Sequence, residues 1–503
     1  MKKQAFNPYL PGWEYIADGE PRVFGDRVYI FGSHDRFDGK EYCENDYVTW
    51  SAPVDDLGDW RYEGVTLKKE DTPWNRDGGS YYAPDVVLGP DGRYYMYYFV
   101  ANTCITSVAV CETPAGRYQY LGDVHRPDGT VYGAKKEDWF AMDPSVLVDT
   151  DGRIFLYTGS GQTSNKKYGH KVVGCFVMEL EPDMLTIKSE PVLLLPEDWS
   201  RKKPGFFEGA SARHIGDYYY LVYPTSDMTG LNYAISRKPD GEFVHKGRIH
   251  CTSDVGLQDR KMGDAVYPIG NYHGGLVQIK GQWYIFDHRQ TNGKVCNRQG
   301  VAEPVTISED GSIAMVESTS CGLNGGPLEG KGTYPANICC ALQGKKFLEI
   351  RNPMAGPKVT QSGTDYNPVD VNVVDGIVRS DLKTEEKQLV NEATEKNSAP
   401  YSYVANIKKG AQIGYKYFDL SETSHISLLV RHGNGRMELT DGLDGNAIAS
   451  VIIPTSDDWI LVETDFDPEK ITKTSSAYSI AKCPLYFRYE GKGRMEFREF
   501  VLS

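Results

Sequence analysis

The chain has 503 residues, a formal net charge of −14 and 40% hydrophobic residues. That length exceeds what one compact core supports, so two or more domains are expected. The acidic balance, with no basic block anywhere, excludes nucleic acid and anionic membrane surfaces as partners.

Met1 to Pro8 carries two lysines with no apolar run behind them, and no stretch is long and apolar enough to span a bilayer. The ten cysteines are scattered without a Cys-x-x-Cys pair, which reads as reduced, buried thiols. These features together predict a cytoplasmic protein, or a secreted or periplasmic one if a signal peptide has been removed. The 34 tyrosines suit stacking on sugars and equally suit strands, which tyrosine favours.

In chain order, Asn7-Pro8-Tyr9-Leu10-Pro11-Gly12 is a rigid extended lead into the first repeat. Asp18 then precedes the turn Gly25-Asp26 and the strand Val28-Tyr29-Ile30-Phe31. Trp50 and Trp60 follow in outer strands, where packing between blades is expected of them. Asp85 precedes Asp91-Gly92 and Tyr94 to Tyr98; Asp143 precedes Asp151-Gly152 and Ile154 to Tyr157. Glu208 precedes Gly216-Asp217 and Tyr218 to Tyr223; His273 precedes Gly281 and Trp283 to Phe286. Each copy is a hairpin, an apolar strand turning at Gly or Asp into an aromatic-rich one. The period is about 60 residues, somewhat longer than common propeller repeats. Five copies predict five blades.

In a propeller the first strand of every blade lines the central channel, so residues at one offset gather in a ring. Asp18, Asp85, Asp143, Glu208 and His273 are expected to converge. Clustered carboxylates repel and resist desolvation, so such a ring implies function: catalysis, a metal site or a solvated funnel.

Past about residue 320 the repeat stops. A connector is expected over 321–365, Gly-rich from Gly322 to Gly332, with Thr384 to Ser398 an exposed loop or short helix. Alternating strands then resume, among them Gly414 to Leu420, His425 to Val430, Trp459 to Val462 and Pro484 to Tyr489. The expected organisation is all-β: a five-bladed β-propeller over 1–320 and a β-sandwich of jelly-roll type over 366–503.

Asn7-Pro8 with Asp18, then Ala83-Pro84-Asp85, Met142-Asp143-Pro144-Ser145, Glu208-Gly209, His273-Gly274 and His288-Arg289, resemble glycoside hydrolase family 43, a group of inverting five-bladed-propeller enzymes acting on arabinose- and xylose-containing glycans. The resemblance covers roughly residues 5–320. The tail, ending in Gly493 to Phe500, resembles carbohydrate-binding module family 6, with a structural role and sugar binding both open; Trp459 is expected to pack rather than to bind.

The first resemblance implies Asp18 as general base, Glu208 as general acid and Asp143 as the carboxylate that keeps Glu208 protonated by like-charge repulsion. It implies that Arg289 bonds substrate or Asp143, and that His273 stands where relatives hold a mostly water-coordinated calcium or other cation on the axis, with no organic cofactor. Asp85 is a substrate contact, a partner of another side chain or a turn residue. Tyr82 stands where a tryptophan platform is usual, and Glu20, on the same face of its strand as Asp18, competes for the base assignment.

The implied activity is exo-acting removal of terminal pentose, as an α-L-arabinofuranosidase or β-xylosidase, from short arabino- or xylo-oligosaccharides. Other furanosides such as β-galactofuranosides, and a non-catalytic sugar-binding propeller, stay as alternatives. Loops such as Arg36 to Glu44 and Thr225 to Gly230 are expected to shape the pocket.

Overall fold

The computed structural model describes residues 3–36, 39, 41–196, 205–291, 294–344 and 403–503. Five antiparallel sheets follow one another along the chain. Blade one is β1 (Ile16–Phe24), β2 (Arg27–His34), β3 (Tyr47–Pro53) and β4 (Arg61–Leu67). Blade two is β5 (Tyr81–Leu88), β6 (Tyr94–Val100), β7 (Thr106–Cys111) and β8 (Gln119–Asp123); blade three is β9 (Ser145–Val148), β10 (Ile154–Ser160), β11 (Gly174–Leu180) and β12 (Val192–Pro196). Blade four is β13 (Ser211–Ile215), β14 (Tyr218–Pro224), β15 (Leu231–Ser236) and β16 (Val244–His250). Blade five has three strands, β17 (Leu276–Ile279), β18 (Gln282–Thr291) and β19 (Lys294–Val305).

The aromatic and β-branched residues of the second strands are buried on both faces because each blade is sandwiched between two others. Period-2 alternation then sends successive residues to different clusters. Val28 and Ile30 pack toward Val277, Tyr284 and Phe286 of blade five, whereas Tyr29 and Phe31 pack toward Val86, Met96 and Tyr98 of blade two. Three further clusters join blades two and three, three and four, and four and five. Trp50 and Trp60 are buried in the cluster between blades one and five. The segment before β1 completes the ring, with Asn7 N–H donating to Ser320 O at 2.9 Å and Tyr9 N–H to Gly300 O at 3.2 Å.

The C-terminal strands are β20 (Leu328–Glu329), β21 (Gly332–Pro335), β22 (Ala341–Gln343), β23 (Val404–Ile407), β24 (Gln412–Asp419), β25 (His425–Thr440), β26 (Ala447–Ile453), β27 (Ile460–Asp465) and β28 (Cys483–Leu502). The long strands β25 and β28 each serve two layers. The first part of β25 pairs with β27 and its last part with β26; the first part of β28 pairs with β24 and its last part with β21 and β23. Bulges at Leu429/Val430 and Arg431/Gly433 bend the ribbon between layers, which close on Phe418, Leu428, Phe487, Phe497 and Phe500. This is the expected sandwich.

The segment expected as a connector differs. β20, β21 and β22 belong to the C-terminal sheet, because Leu328, Tyr334 and Leu342 have an apolar core to enter. The rest of that connector (345–365), residues 366–402 with the expected Thr384 to Ser398 loop, and residues 37, 38 and 40 of the Arg36 to Glu44 loop lie outside the described residues. All ten cysteines are free and all but Cys111 are buried. Among the described residues no helix is long and apolar enough to cross a membrane.

Candidate active site

Strand register decides which side chains meet on the axis. The last pairs before the hairpin turns are Phe24 with Arg27, Gly89 with Arg93, Asp149 with Arg153, Ile215 with Tyr218 and Ile279 with Gln282. Counting four residues back along each first strand reaches Glu20, Asp85, Ser145, Ser211 and Gly275; two more reach Asp18, Ala83, Asp143, Gly209 and His273. The expected single ring is therefore two tiers. Asp18, Asp143 and His273 share the outer tier, and Glu208 joins it from the position before Gly209. Asp85 lies two residues deeper, level with Glu20.

The outer tier is set by bulges. Ala17 pairs with Ser33 and Glu20 with Phe31, three steps on β1 against two on β2, and β5 repeats this between Tyr82 and Asp85. At Asp18 the additional residue brings a left-handed backbone (φ 53°), which re-aims the side chain; Asp143 (φ 51°) and Gly209 (φ 61°), just before β9 and β13, are left-handed without a shift in their ladders. At Gly209 only glycine fits: a Cβ would sit 2.8 Å from His273 Nδ1.

Asp18 Oδ1 and Oδ2 each accept from Arg298 Nη1 at 2.9 Å. Arg298 also donates to Asp35, from Nε at 2.8 Å and Nη2 at 2.9 Å. Burial pushes the Asp18 carboxyl up, but Arg298, aided by His273, outweighs it and holds Asp18 well below the usual carboxylate range. Asp143 goes the other way: burial, with the Asp18 charge, raises it to about 7 against the opposing pull of His273 and Arg298. Glu208 is raised well above its ordinary value by burial and then by Asp143 and Asp18; Gln162 donates to its Oε2. The site thus biases the two in opposite directions, Asp18 toward its ionised form and Glu208 toward its protonated form.

The inner tier is structural. Asp85 is fully buried, takes Arg22 Nε at 2.9 Å and Nη2 at 2.5 Å, and accepts from Ser145 Oγ at 3.0 Å and Val146 N–H at 2.9 Å. It is thus a buried ion-pair partner rather than a substrate contact. Glu20 Oε2 accepts from Arg213 at 2.7 Å and Ser211 Oγ at 3.1 Å. Burial raises Glu20, yet Arg213, His273 and Arg22 bring it down to about 2. Tied to Arg213, Glu20 is poorly placed to displace Asp18 as base.

Arg289 does not reach the carboxylates. On β18 successive residues face opposite ways: His288 faces Asp18, while Arg289 donates to Asn337 O and Cys339 O at 2.5 Å and lies over the Tyr267 ring at 5.0 Å. Arg298, cross-strand partner of Gln290 on β19, is the arginine among the carboxylates instead, and it bonds Asp18 and Asp35 rather than Asp143. Its signal was legible as Asn297-Arg298-Gln299, a polar trio in an otherwise mainly apolar strand. Tyr82 is half-buried beside Phe99, ring centroids 6.3 Å apart, and its hydroxyl feels Asp143 and Arg298. The Tyr42 ring covers Arg298 at 4.9 Å and its hydroxyl feels Glu208, so two tyrosines flank the carboxylates; Tyr42 was not foreseen.

The axial donors bear on a cation. Glu20 Oε1 is buried without a hydrogen-bond partner, and its neighbour is His273 Nε2 at 3.7 Å. Among the described residues no group of three or more His, Cys, Asp or Glu could hold a metal. One carboxylate oxygen and one imidazole fall short of the six to eight oxygens calcium takes, so they fit only a mostly hydrated ion beside a neutral His273. Burial lowers His273, but Glu20, Asp18 and Asp143 raise it to about 9, so a proton competes for that place.

A propeller that gathers carboxylates biased toward opposite protonation states offers what the acid and base of glycoside hydrolysis require. The chain belongs to glycosyl hydrolases family 43, whose family model matches residues 21–313. It is 41% identical over 519 aligned residues to a xylosidase/arabinosidase of Thermoclostridium stercorarium, covering 100% of this chain and 99% of that one. A xylosidase/arabinosidase of Bacteroides ovatus is 28% identical, across 61% of this chain and 97% of its own. The solved structure of RS223 β-xylosidase superposes with a TM-score of 0.50 at 25% identity, covering 63% of this chain and 99% of that one.

Proposed function

We propose that this enzyme is an inverting, exo-acting pentosidase that removes terminal xylose or arabinofuranose from xylo- and arabino-oligosaccharides. The observation that carries it is the buried cluster in which Arg298 holds Asp18 toward its ionised form while burial and neighbouring carboxylates hold Glu208 toward its protonated one. Ionised Asp18 accepts a proton from water on one side of the sugar while protonated Glu208 gives its proton to the departing glycosidic oxygen, which inversion requires. The names of the relatives supply the sugar class.

Burial first, and then the charge of Asp143, biases Glu208 toward its protonated form, and Tyr82 and Tyr42 offer rings to the sugar. Glu20 and a neutral His273 would hold a hydrated calcium or similar ion, which would supply the positive charge the imidazolium otherwise provides. The C-terminal sandwich is read as a unit of the carbohydrate-binding module family 6 type, and the protein as cytoplasmic, acting on small imported substrates. Release of nitrophenol from the α-L-arabinofuranoside and the β-D-xyloside, wild type against Glu208→Gln, tests the reading. Activity on either that falls in the variant supports it; silence on both refutes it and points to another furanoside.

A further inference from the structure

Asp18 holds a left-handed backbone (φ 53°) in a bulge, a conformation that non-glycine residues adopt at a cost and keep only where surrounding contacts enforce it. Its N–H leaves the β1–β2 ladder there and needs an acceptor. That acceptor is His288 Nδ1, at 3.1 Å. His288 is completely buried, and its Nε2 faces Asn271 Oδ1 at 3.3 Å. Asn271 Oδ1 also accepts from Gln290 Nε2 at 2.8 Å, so this oxygen is an acceptor and the imidazole must carry its proton on Nε2. Nδ1 is therefore a bare lone pair aimed at the Asp18 backbone.

We propose that His288, with its tautomer set by Asn271, is a positioning residue that fixes the backbone of the catalytic base and so aims the Asp18 carboxylate between Arg298 and the attacking water. This rests on the reading of Asp18 as general base. His288 stands 3.5 Å from Asp18 Oδ1, near enough to be mistaken for a proton-transfer partner. Burial, with Arg298 and His273, pushes its pKa down to about 3 against the pull of Asp18, which leaves it neutral. Its neighbours on β18 fit the same purpose: Gln290 orients Asn271, and Arg289 ties the strand to the carbonyls of Asn337 and Cys339.

The test measures kcat, KM and melting temperature for His288→Leu, His288→Asn, Asn271→Leu and Asp18→Asn, on whichever nitrophenyl pentoside the wild type cleaves. Leucine removes the acceptor, while the asparagine side-chain oxygen sits close to the place of Nδ1. His288→Leu is expected to lose about 10²-fold in kcat, the scale of a misplacement near 1 Å, with KM within about threefold of wild type. His288→Asn is expected to recover at least about tenfold of that loss at a similar melting temperature, and Asn271→Leu to lose about tenfold in kcat. If His288→Asn is no better than His288→Leu at equal melting temperature, or the loss falls in KM, the positioning role is overturned. Should His288→Leu not fold, His288→Phe, which keeps the ring volume without the acceptor, decides: wild-type kcat there overturns the proposal. An active Asp18→Asn sinks the base assignment itself, whereas inactive Asp18→Asn beside fully active His288 variants sinks only the positioning.

Discussion

Replacing Arg298 by methionine tests the electrostatics on which the site depends. Its Nη1 is 2.9 Å from both oxygens of Asp18, and both partners are buried. Opposite unit charges about 4 Å apart attract by about 4 kcal/mol at an effective dielectric of about 20, which is about three pKa units at about 1.4 kcal/mol each. Without Arg298 the acid limb of the kcat/KM profile is expected to climb by about three pH units. The same change strands Asp35, and breaking a buried pair costs about 3–5 kcal/mol, so the profile is best recorded on Arg298→Met together with Asp35→Asn. Steady-state hydrolysis of a nitrophenyl pentoside between pH 3 and 9 reads the limb, with melting curves at each pH to keep the protein folded. A double variant whose acid limb stays where the wild type has it would refute the claim that Arg298 keeps Asp18 ionised.

Asp18→Asn and Glu208→Gln are each expected to lose about 10²–10⁴-fold in turnover, with the Glu208 loss smaller on substrates with a good leaving group; equal losses across leaving groups would contradict Glu208 as the acid. Asp143→Asn removes the like charge beside Glu208, so the alkaline limb is expected to move to lower pH in the kcat/KM profile. Asp143 is raised in the folded protein to about 7, so the stability it contributes is complete below its ordinary value near 4 and is lost as pH rises through 7. The variant should flatten that decline in melting temperature. Gly275→Ala would place a Cβ 2.4 Å from Ser211 Oγ and 2.7 Å from Glu20 Oε2; the clash is expected to cost about 1–3 kcal/mol in chemical denaturation.

The propeller was legible because its turns and aromatic strands repeat, and repetition survives without any knowledge of contacts. The tiers were not, since they depend on bulges that shift register by one residue, and Ala17-Asp18-Gly19-Glu20 does not say which residue bulges. Asp85 was misplaced by its distance from the turn: it stands four residues before Gly89, as Glu20 stands four before Phe24, whereas Asp18 stands six before. Arg289 was misplaced by parity, because neighbours on a strand point to opposite faces and only the pairing of β18 with β19 tells which face the axis sees. The strands within 328–343 were expected as connector because their partners lie about 70 to 170 residues further along the sequence, where no local pattern reveals them.

Those late strands also tie the two parts of the molecule together. Lys416 on β24 is buried and its Nζ lies 3.1 Å from Asp254 and 3.0 Å from Glu317, both in the propeller half of the chain. Tyr417 O–H donates to Glu317 at 2.7 Å, and Ser320 N–H donates to Lys416 O at 2.5 Å. An ammonium placed there without its carboxylates, or the reverse, would be an unpaired buried charge. Lys416→Met should therefore destabilise the whole chain by about 3–5 kcal/mol, and adding Asp254→Asn should recover part of that loss because the stranded carboxylate goes with it. If propeller and sandwich were merely tethered, the variant would melt like wild type; if they share this ionic contact, calorimetry shows one lowered transition in the single variant and a partial return in the double.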